Sequence, residues 1–224
     1  MDIKHIFFDL DHTLWDFDKN SKLTFQQIFI EQHIQINIDV FLEKYMPINF
    51  NYWKLYREDK ISKEALRYGR LKDSFDQLNY TVSDKLINLI SEDYIKYLPN
   101  NNHLFDGTFE ILEYLSKKYD LHIITNGFEE VQKLKLEKSG IAKYFNQVIT
   151  SESVGVKKPN IKVFEYALSK AKAQANNSLM IGDSYEADVM GSLKAGMLAI
   201  HFTSNTSSNG ELTVNSLLDL KRYL

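Results

Sequence analysis

An α/β fold with parallel strands and crossover helices is predicted for this chain by three observations. Apolar runs of strand length recur along it, segments with helical spacing separate those runs after residue 105, and carboxylates, hydroxyls and lysines gather at the ends of the runs. The first run is Ile6 to Asp9; Leu121 to Thr125, Gln147 to Thr150, Leu179 to Gly182 and Leu198 to Phe202 follow. Each is short and bounded by polar residues or glycine, the pattern of a buried strand. Between them, Phe109, Leu112, Leu115 and Tyr119 keep helical intervals, as do Val163, Phe164, Ala167, Leu168 and Ala171. Residues 17 to about 100 break the rhythm: no strand-like run occurs, and Leu86, Ile90, Tyr94 and Tyr97 recur at helical spacing. That stretch reads as a helical insert ending near Pro99 and the Asn100-Asn101-Asn102 run. Ser204 to Gly210 reads as an exposed loop before a terminal helix that ends at Leu224.

The chain has 224 residues, enough for one domain, or for a core with one insert, to bury a substantial interior. With 44% hydrophobic and 25% charged residues its composition is that of a soluble protein, and no segment approaches the roughly 20 apolar residues of a membrane span. A formal net charge of -3 gives no reason to expect a nucleic-acid polymer or an acidic membrane as partner. There is no cysteine, which excludes disulfides and thiolate metal sites. Met1 to Phe8 runs directly into Asp9 and Asp11 without a long apolar segment or cleavage site, so cytoplasmic residence is the default expectation.

The first run ends in Asp9-Leu10-Asp11-His12-Thr13, two carboxylates and a hydroxyl where strand becomes loop. Ligands of open α/β sheets bind outside the carboxyl ends of strands. Alone, the pattern fits an Asx turn as well as a site. Three further clusters fall in equivalent places: Thr125-Asn126-Gly127 after the second run, Lys157-Lys158-Pro159 after the third, and Asp183 with Asp188 after the fourth. A helix cap, a solvated lysine pair and an acidic helix N-terminus would explain each singly. Together they assemble one site. The six histidines show no metal-ligand spacing, and His12 reads as a loop residue.

In this order the clusters resemble the motifs of the haloacid dehalogenase (HAD) superfamily: Asp9, Asp11 and Thr13 match the first, Thr125 the second, Lys158 before Pro159 the third, and Gly182-Asp183 with Asp188 the fourth. The resemblance implies a Rossmann-like core, residues 1–16 and 101–224, with a central parallel sheet in order 5-4-1-2-3, and an α-helical cap over residues 17–100. It implies magnesium as cofactor and a small phosphate ester as substrate. Asp9 would be the nucleophile. Magnesium favours octahedral oxygen coordination with some waters retained. The expected ligands are the Asp9 carboxylate, the Asp11 backbone carbonyl and the Asp183 carboxylate, with Asp188 orienting a metal-bound water. Lys158, Thr125, Asn126 and the backbone of Leu10 and Asp11 would bind the phosphoryl oxygens, and Thr13 would brace the loop. Asp11 would protonate the leaving oxygen and later deprotonate the hydrolytic water.

Within the superfamily, Asp11 argues against dehalogenase and phosphonatase activity, while the alternatives, a sugar-phosphate phosphatase or a β-phosphoglucomutase-like phosphomutase, share the same motifs. A receiver-type signalling domain also gathers acidic residues, a Thr and a Lys around an aspartyl phosphate, but in a chain of about half this length and with the residues in a different order. The longer stretches Phe7 to Trp15, Ile124 to Phe128 and Ser151 to Asn160 are similar to the HAD pyrimidine nucleotidases, which act on nucleoside 5'-monophosphates. Tyr56 to Arg70 is similar too, but has Asp59 where that family often has glycine. Trp53, Arg70 and Phe128 are candidate substrate contacts, set against the ordinary roles of aromatics in cores and arginines in solvent.

Overall fold

The computed structural model describes residues 2–204 and 212–224. The chain divides into two compact units, one of residues 1–17 and 102–224 and one of residues 18–101.

In the first unit five strands form at or within one or two residues of the apolar runs: β1 (His5–Phe8), β2 (Asp120–Thr125), β3 (Phe145–Thr150), β4 (Ser178–Gly182) and β5 (Leu198–Phe202). A further short strand, β6 (Leu212–Val214), pairs with β5, so among the described residues the sheet runs β3-β2-β1-β4-β5-β6 with all pairings parallel. The expected order thus stands, with β6 added at the edge beyond β5. Three residues with one buried side chain are too short a pattern to read as a strand in sequence. The expected loop, beyond Ser204, lies outside the described residues, and the terminal helix is a six-residue 3₁₀ segment, Leu217–Arg222.

β1 is central, pairing β2 on one side and β4 on the other. Its Ile6, Phe7 and Phe8 are fully buried, as a strand covered on both faces requires. The helices of this unit include α5 (Thr108–Leu115), α6 (Glu129–Lys138), α7 (Ser151–Val154) and α8 (Ile161–Ala171). Phe7 joins Ile124, Ile149 and Met180 from neighbouring strands and Val163, Phe164, Ala167 and Leu168 from α8 in one apolar cluster. Burying each aromatic or large aliphatic side chain there stabilises by about 1.5–3 kcal/mol. The parallel pairing aligns the carboxyl ends of β1, β2 and β4, with Phe8 opposite both Ile123 and Ile181. Every chemistry-bearing loop therefore emerges at one edge of the sheet.

The second unit is helical: most of α1 (Phe17–Glu31), then α2 (Ile38–Arg57), α3 (Lys63–Gln77) and α4 (Asp84–Tyr97). Three of these start at side-chain caps, Asn37, Ser62 and Ser83, which accept otherwise unpaired N–H groups of the first turn. The end of α2 explains Asp59: it takes a left-handed conformation at φ 55° while Lys60 N–H donates to Leu55 and Asp59 N–H to Tyr56. This is the Schellman geometry that favours glycine, and aspartate is among the few other residues that tolerate it. Phe25, Phe29, Phe41, Tyr45, Phe75 and Tyr94 pack against one another as the unit's own core.

Candidate active site

Asp9 follows β1 directly, and its N–H donates to the Ile181 carbonyl of β4, which fixes the backbone beside the fourth motif. Beyond it the chain folds back at once, because the Leu10 carbonyl accepts the N–H groups of both Leu14 and Trp15. His12 sits in this turn at φ 63° with its ring against Phe17, a loop role. Thr13 is fully buried but its hydroxyl finds no partner among the described residues, so whatever bracing it supplies comes from packing.

Lys158 is the hub. Its ammonium donates to Asp9 Oδ1 at 2.7 Å, Asp188 Oδ1 at 2.5 Å and the Ile124 carbonyl at 2.7 Å, and the residue is 1% exposed. Three protons meet three acceptors, so a direct bond to a phosphoryl oxygen would have to replace one of them. Burial pulls its pKa down, but Asp188 and Asp9 outweigh that and the net shift is upward. The lysine is held by Asn126, whose amide oxygen accepts the Lys158 N–H and whose amide nitrogen donates to the Lys158 carbonyl. Asn126 was expected at phosphate; its side chain is used on Lys158 instead, leaving its backbone N–H for an anion.

Thr125, at the end of β2, accepts from Gly127 N–H and from Gln132 Nε2. With both lone pairs engaged, its hydroxyl hydrogen is left to donate outward. Gly127 has a packing reason: a Cβ there would collide with the Gln132 side chain. Gly182 has one too, since its Cβ would overlap the Asp188 carboxylate. Asp188 reaches the site from a π-helical turn, Tyr185–Met190, of the kind that often occurs at functional sites, and its Oδ2 accepts from Ser184 N–H at 3.0 Å. Both Asp188 oxygens therefore have protein donors.

Carboxylate oxygens of Asp9, Asp183 and Asp188 lie within 4.8 Å of one another. Burial raises the Asp9 pKa well above the ordinary carboxylate range; Lys158 opposes this, and Asp188 and Asp183 add to it. Asp183 is pushed up to about 7, first by burial and then by Asp188. Three crowded carboxylates against one ammonium leave an excess of buried negative charge, costly unless a cation neutralises it. All-oxygen donors in this arrangement fit a hard divalent ion. The Asp11 carboxylate lies outside this group, facing helix α6 (Glu129–Lys138), so its expected ligand role rests on its backbone carbonyl alone.

Three residues went unnoticed in sequence. His201 Nε2–H donates to the Asp183 carbonyl at 2.8 Å, holding that loop against β5. Gln132 and Lys135 on α6 bind the Asp11 side chain. Their signal was that Val131, Gln132, Lys135 and Leu136 share one helical stripe, which puts polar residues on the inward face.

Each candidate substrate contact belongs to one unit, Trp53 and Arg70 to the helical one and Phe128 to the other. Arg70 is 2% exposed inside the helical unit, donating to Asn49 Oδ1 and lying over the rings of Tyr45 and Tyr94. Trp53 is half-buried with its ring edge-on to Tyr56. Phe128 is buried at the start of α6, where Glu152 rather than a capping side chain accepts the Glu129 N–H. Phe25, Phe29, Phe41, Tyr45, Phe75 and Tyr94 are spent on the helical unit's own core.

A family model described as haloacid dehalogenase-like hydrolase matches residues 6–202. The chain is 31% identical over 225 residues to pyrimidine 5'-nucleotidase YjjG of Escherichia coli, covering 98% of this chain and 96% of that protein. It is 33% identical over 227 residues to pyrimidine 5'-nucleotidase PynA of Streptococcus pneumoniae, with 97% and 93% covered. The magnesium-bound crystal structure of YfnB from Bacillus subtilis superposes with a TM-score of 0.91 at 26% identity, covering 100% of this chain and 99% of YfnB.

Proposed function

The chain belongs to the haloacid dehalogenase-like hydrolase family, and on that premise we propose that it hydrolyses phosphate monoesters through a phospho-aspartate on Asp9, with pyrimidine nucleoside 5'-monophosphates as preferred substrates. The observation that carries the chemistry is the Asp9 carboxylate at the carboxyl end of the central strand, held by buried Lys158 beside Asp183 and Asp188.

The residues divide the work. Asp9 Oδ attacks phosphorus while the ester oxygen departs, so one P–O bond forms as another breaks. Lys158 favours the ionised form of Asp9 against the effect of burial and holds it in place, and the Thr125 hydroxyl with the N–H groups of Leu10, Asp11 and Asn126 receives the phosphoryl oxygens. Asp11 gives its proton to the departing alkoxide and then takes one from the water that hydrolyses the acyl phosphate, returning Asp9 and releasing inorganic phosphate. Magnesium, held by Asp9, Asp183 and the Asp11 carbonyl, with Asp188 behind them, would neutralise charge on the phosphoryl group.

The nucleotide preference is supported by the two pyrimidine 5'-nucleotidase relatives, each similar along nearly its whole length. Of the three candidate contacts, Trp53 is partly exposed, whereas Arg70 and Phe128 are buried. The test compares kcat/KM for UMP with that for glucose 6-phosphate, with magnesium present. A ratio well above one is expected. A ratio at or below one would overturn the substrate assignment, and interconversion of sugar phosphates without phosphate release would favour a mutase. Release of one equivalent of nucleoside per chain, with the phosphoryl group retained on the protein and no continuing release of phosphate, would overturn the hydrolase reading itself.

A further inference from the structure

Asp11 is gripped from one side by two donors. Lys135 Nζ lies 2.6 Å from its Oδ1 and Gln132 Nε2 lies 2.9 Å from its Oδ2, so each carboxylate oxygen has its own partner. Both donors come from α6, three residues apart on one face. With Asp11 ionised, this orientation sets the Gln132 amide nitrogen, a donor, against an acceptor. The second Gln132 N–H reaches Thr125 Oγ1 at 2.7 Å, tying Asp11 to the second motif.

Lys135 is itself immobilised. It is 2% exposed, and its ammonium lies 4.1 Å from the ring centre of Trp15 and 5.3 Å from that of Phe17. Trp15 is fully buried and its backbone pairs with Asp11 across the turn. The cation therefore rests on aromatic faces supplied by the same loop that carries its carboxylate, at a site where water offers no competing partner. A lysine on an exposed helix face would lose side-chain freedom for little return. Here the geometry fixes the direction of the Asp11 carboxylate, and proton transfer to a leaving oxygen depends steeply on such placement.

We infer that Lys135 is a positioning residue for phosphoryl transfer, which together with Gln132 aims the Asp11 carboxylate at the leaving oxygen. The inference rests on the reading of Asp11 as the acid and base of the reaction.

The experiment uses the full chain with magnesium and two esters of nearly the same shape, phenyl phosphate and p-nitrophenyl phosphate. The second leaving group departs without help from an acid; the first does not. In kcat/KM, which reports formation of the phospho-enzyme, Lys135→Met should lose about 30-fold or more on phenyl phosphate and under about threefold on p-nitrophenyl phosphate, within the range of general acid catalysis. KM should change little. Lys135→Arg should restore phenyl phosphate activity to within about threefold of the parent. Asp11→Asn should show the same split, and the double variant Asp11→Asn with Lys135→Met should be no worse than Asp11→Asn. Lys135→Gln, which keeps a donor without the charge, should fall between and serves if Lys135→Met does not fold. In urea unfolding with chelator, the losses from the two single substitutions should be non-additive. Equal losses on both esters, or additive losses in either measurement, would overturn the assignment of Lys135. An Asp11→Asn variant with no leaving-group split would overturn the acid role of Asp11 and this inference with it.

Discussion

Lys158 Nζ and Asp9 Oδ1 stand 2.7 Å apart with the lysine 1% exposed, so the Asp9 carboxylate and its neighbouring cation form one buried unit. Asp188 completes it from the other side at 2.5 Å. Removing the lysine would strand three crowded carboxylates. Lys158→Met is expected to abolish turnover and, with chelator present, to destabilise the fold by about 3–5 kcal/mol, the usual cost of breaking a buried pair from one side. Magnesium should restore part of that stability. Urea midpoints with and without magnesium measure both effects, and an unaltered midpoint in chelator would contradict the pairing.

Asp9→Asn should lose turnover without losing stability. The amide keeps the shape of the carboxylate but is not a competent nucleophile, so turnover of p-nitrophenyl phosphate should fall by at least about a thousandfold. One negative charge leaves the crowded group while Lys158 keeps Asp188 and the Ile124 carbonyl. Thermal unfolding in chelator should therefore stay within a few degrees of the parent. Normal turnover by the folded variant would end the phospho-aspartate mechanism.

Asp183→Ala tests the cation site. The magnesium concentration giving half-maximal activity should rise at least tenfold, and the increase in unfolding temperature on adding magnesium to the free enzyme should shrink, since an ion that binds only the folded state stabilises by an amount that grows with the logarithm of its affinity. Unchanged responses in both would remove Asp183 from the metal site.

His122 makes stability depend on pH. Burial, and then the adjacent His5, lower its pKa from 6.5 to about 4, while Asp120 opposes them. It stacks on Phe7, and its Nδ1 finds no partner among the described residues. The unfolded chain therefore takes up a proton between pH 6.5 and 4 that the folded chain refuses. The stability attached to this residue is complete above pH 6.5 and is lost as pH falls toward 4, by at most about 1.4 kcal/mol per pH unit. His122→Leu should flatten the profile over that interval relative to the parent, as read by urea midpoints. A parallel slope in the two proteins would contradict this.

The strands, the helical insert and the four clusters at strand ends were legible in sequence because burial on both faces leaves unbroken apolar runs, and because loops at strand ends carry the polar residues. The positions of Asp9, Thr125, Lys158, Asp183 and Asp188 at or beyond strand ends were therefore readable. Their partnerships were not. That Asn126 serves Lys158, that Lys135 and Gln132 hold Asp11, and that Arg70 turns inward onto Tyr45 and Tyr94 depend on which side chains cross between elements far apart in the chain. Lys135 lies 124 residues from Asp11. Periodicity reports the direction of a helix face, and only the packing of that face against another element decides whether a buried polar residue finds a charge, a hydrogen bond or an aromatic ring.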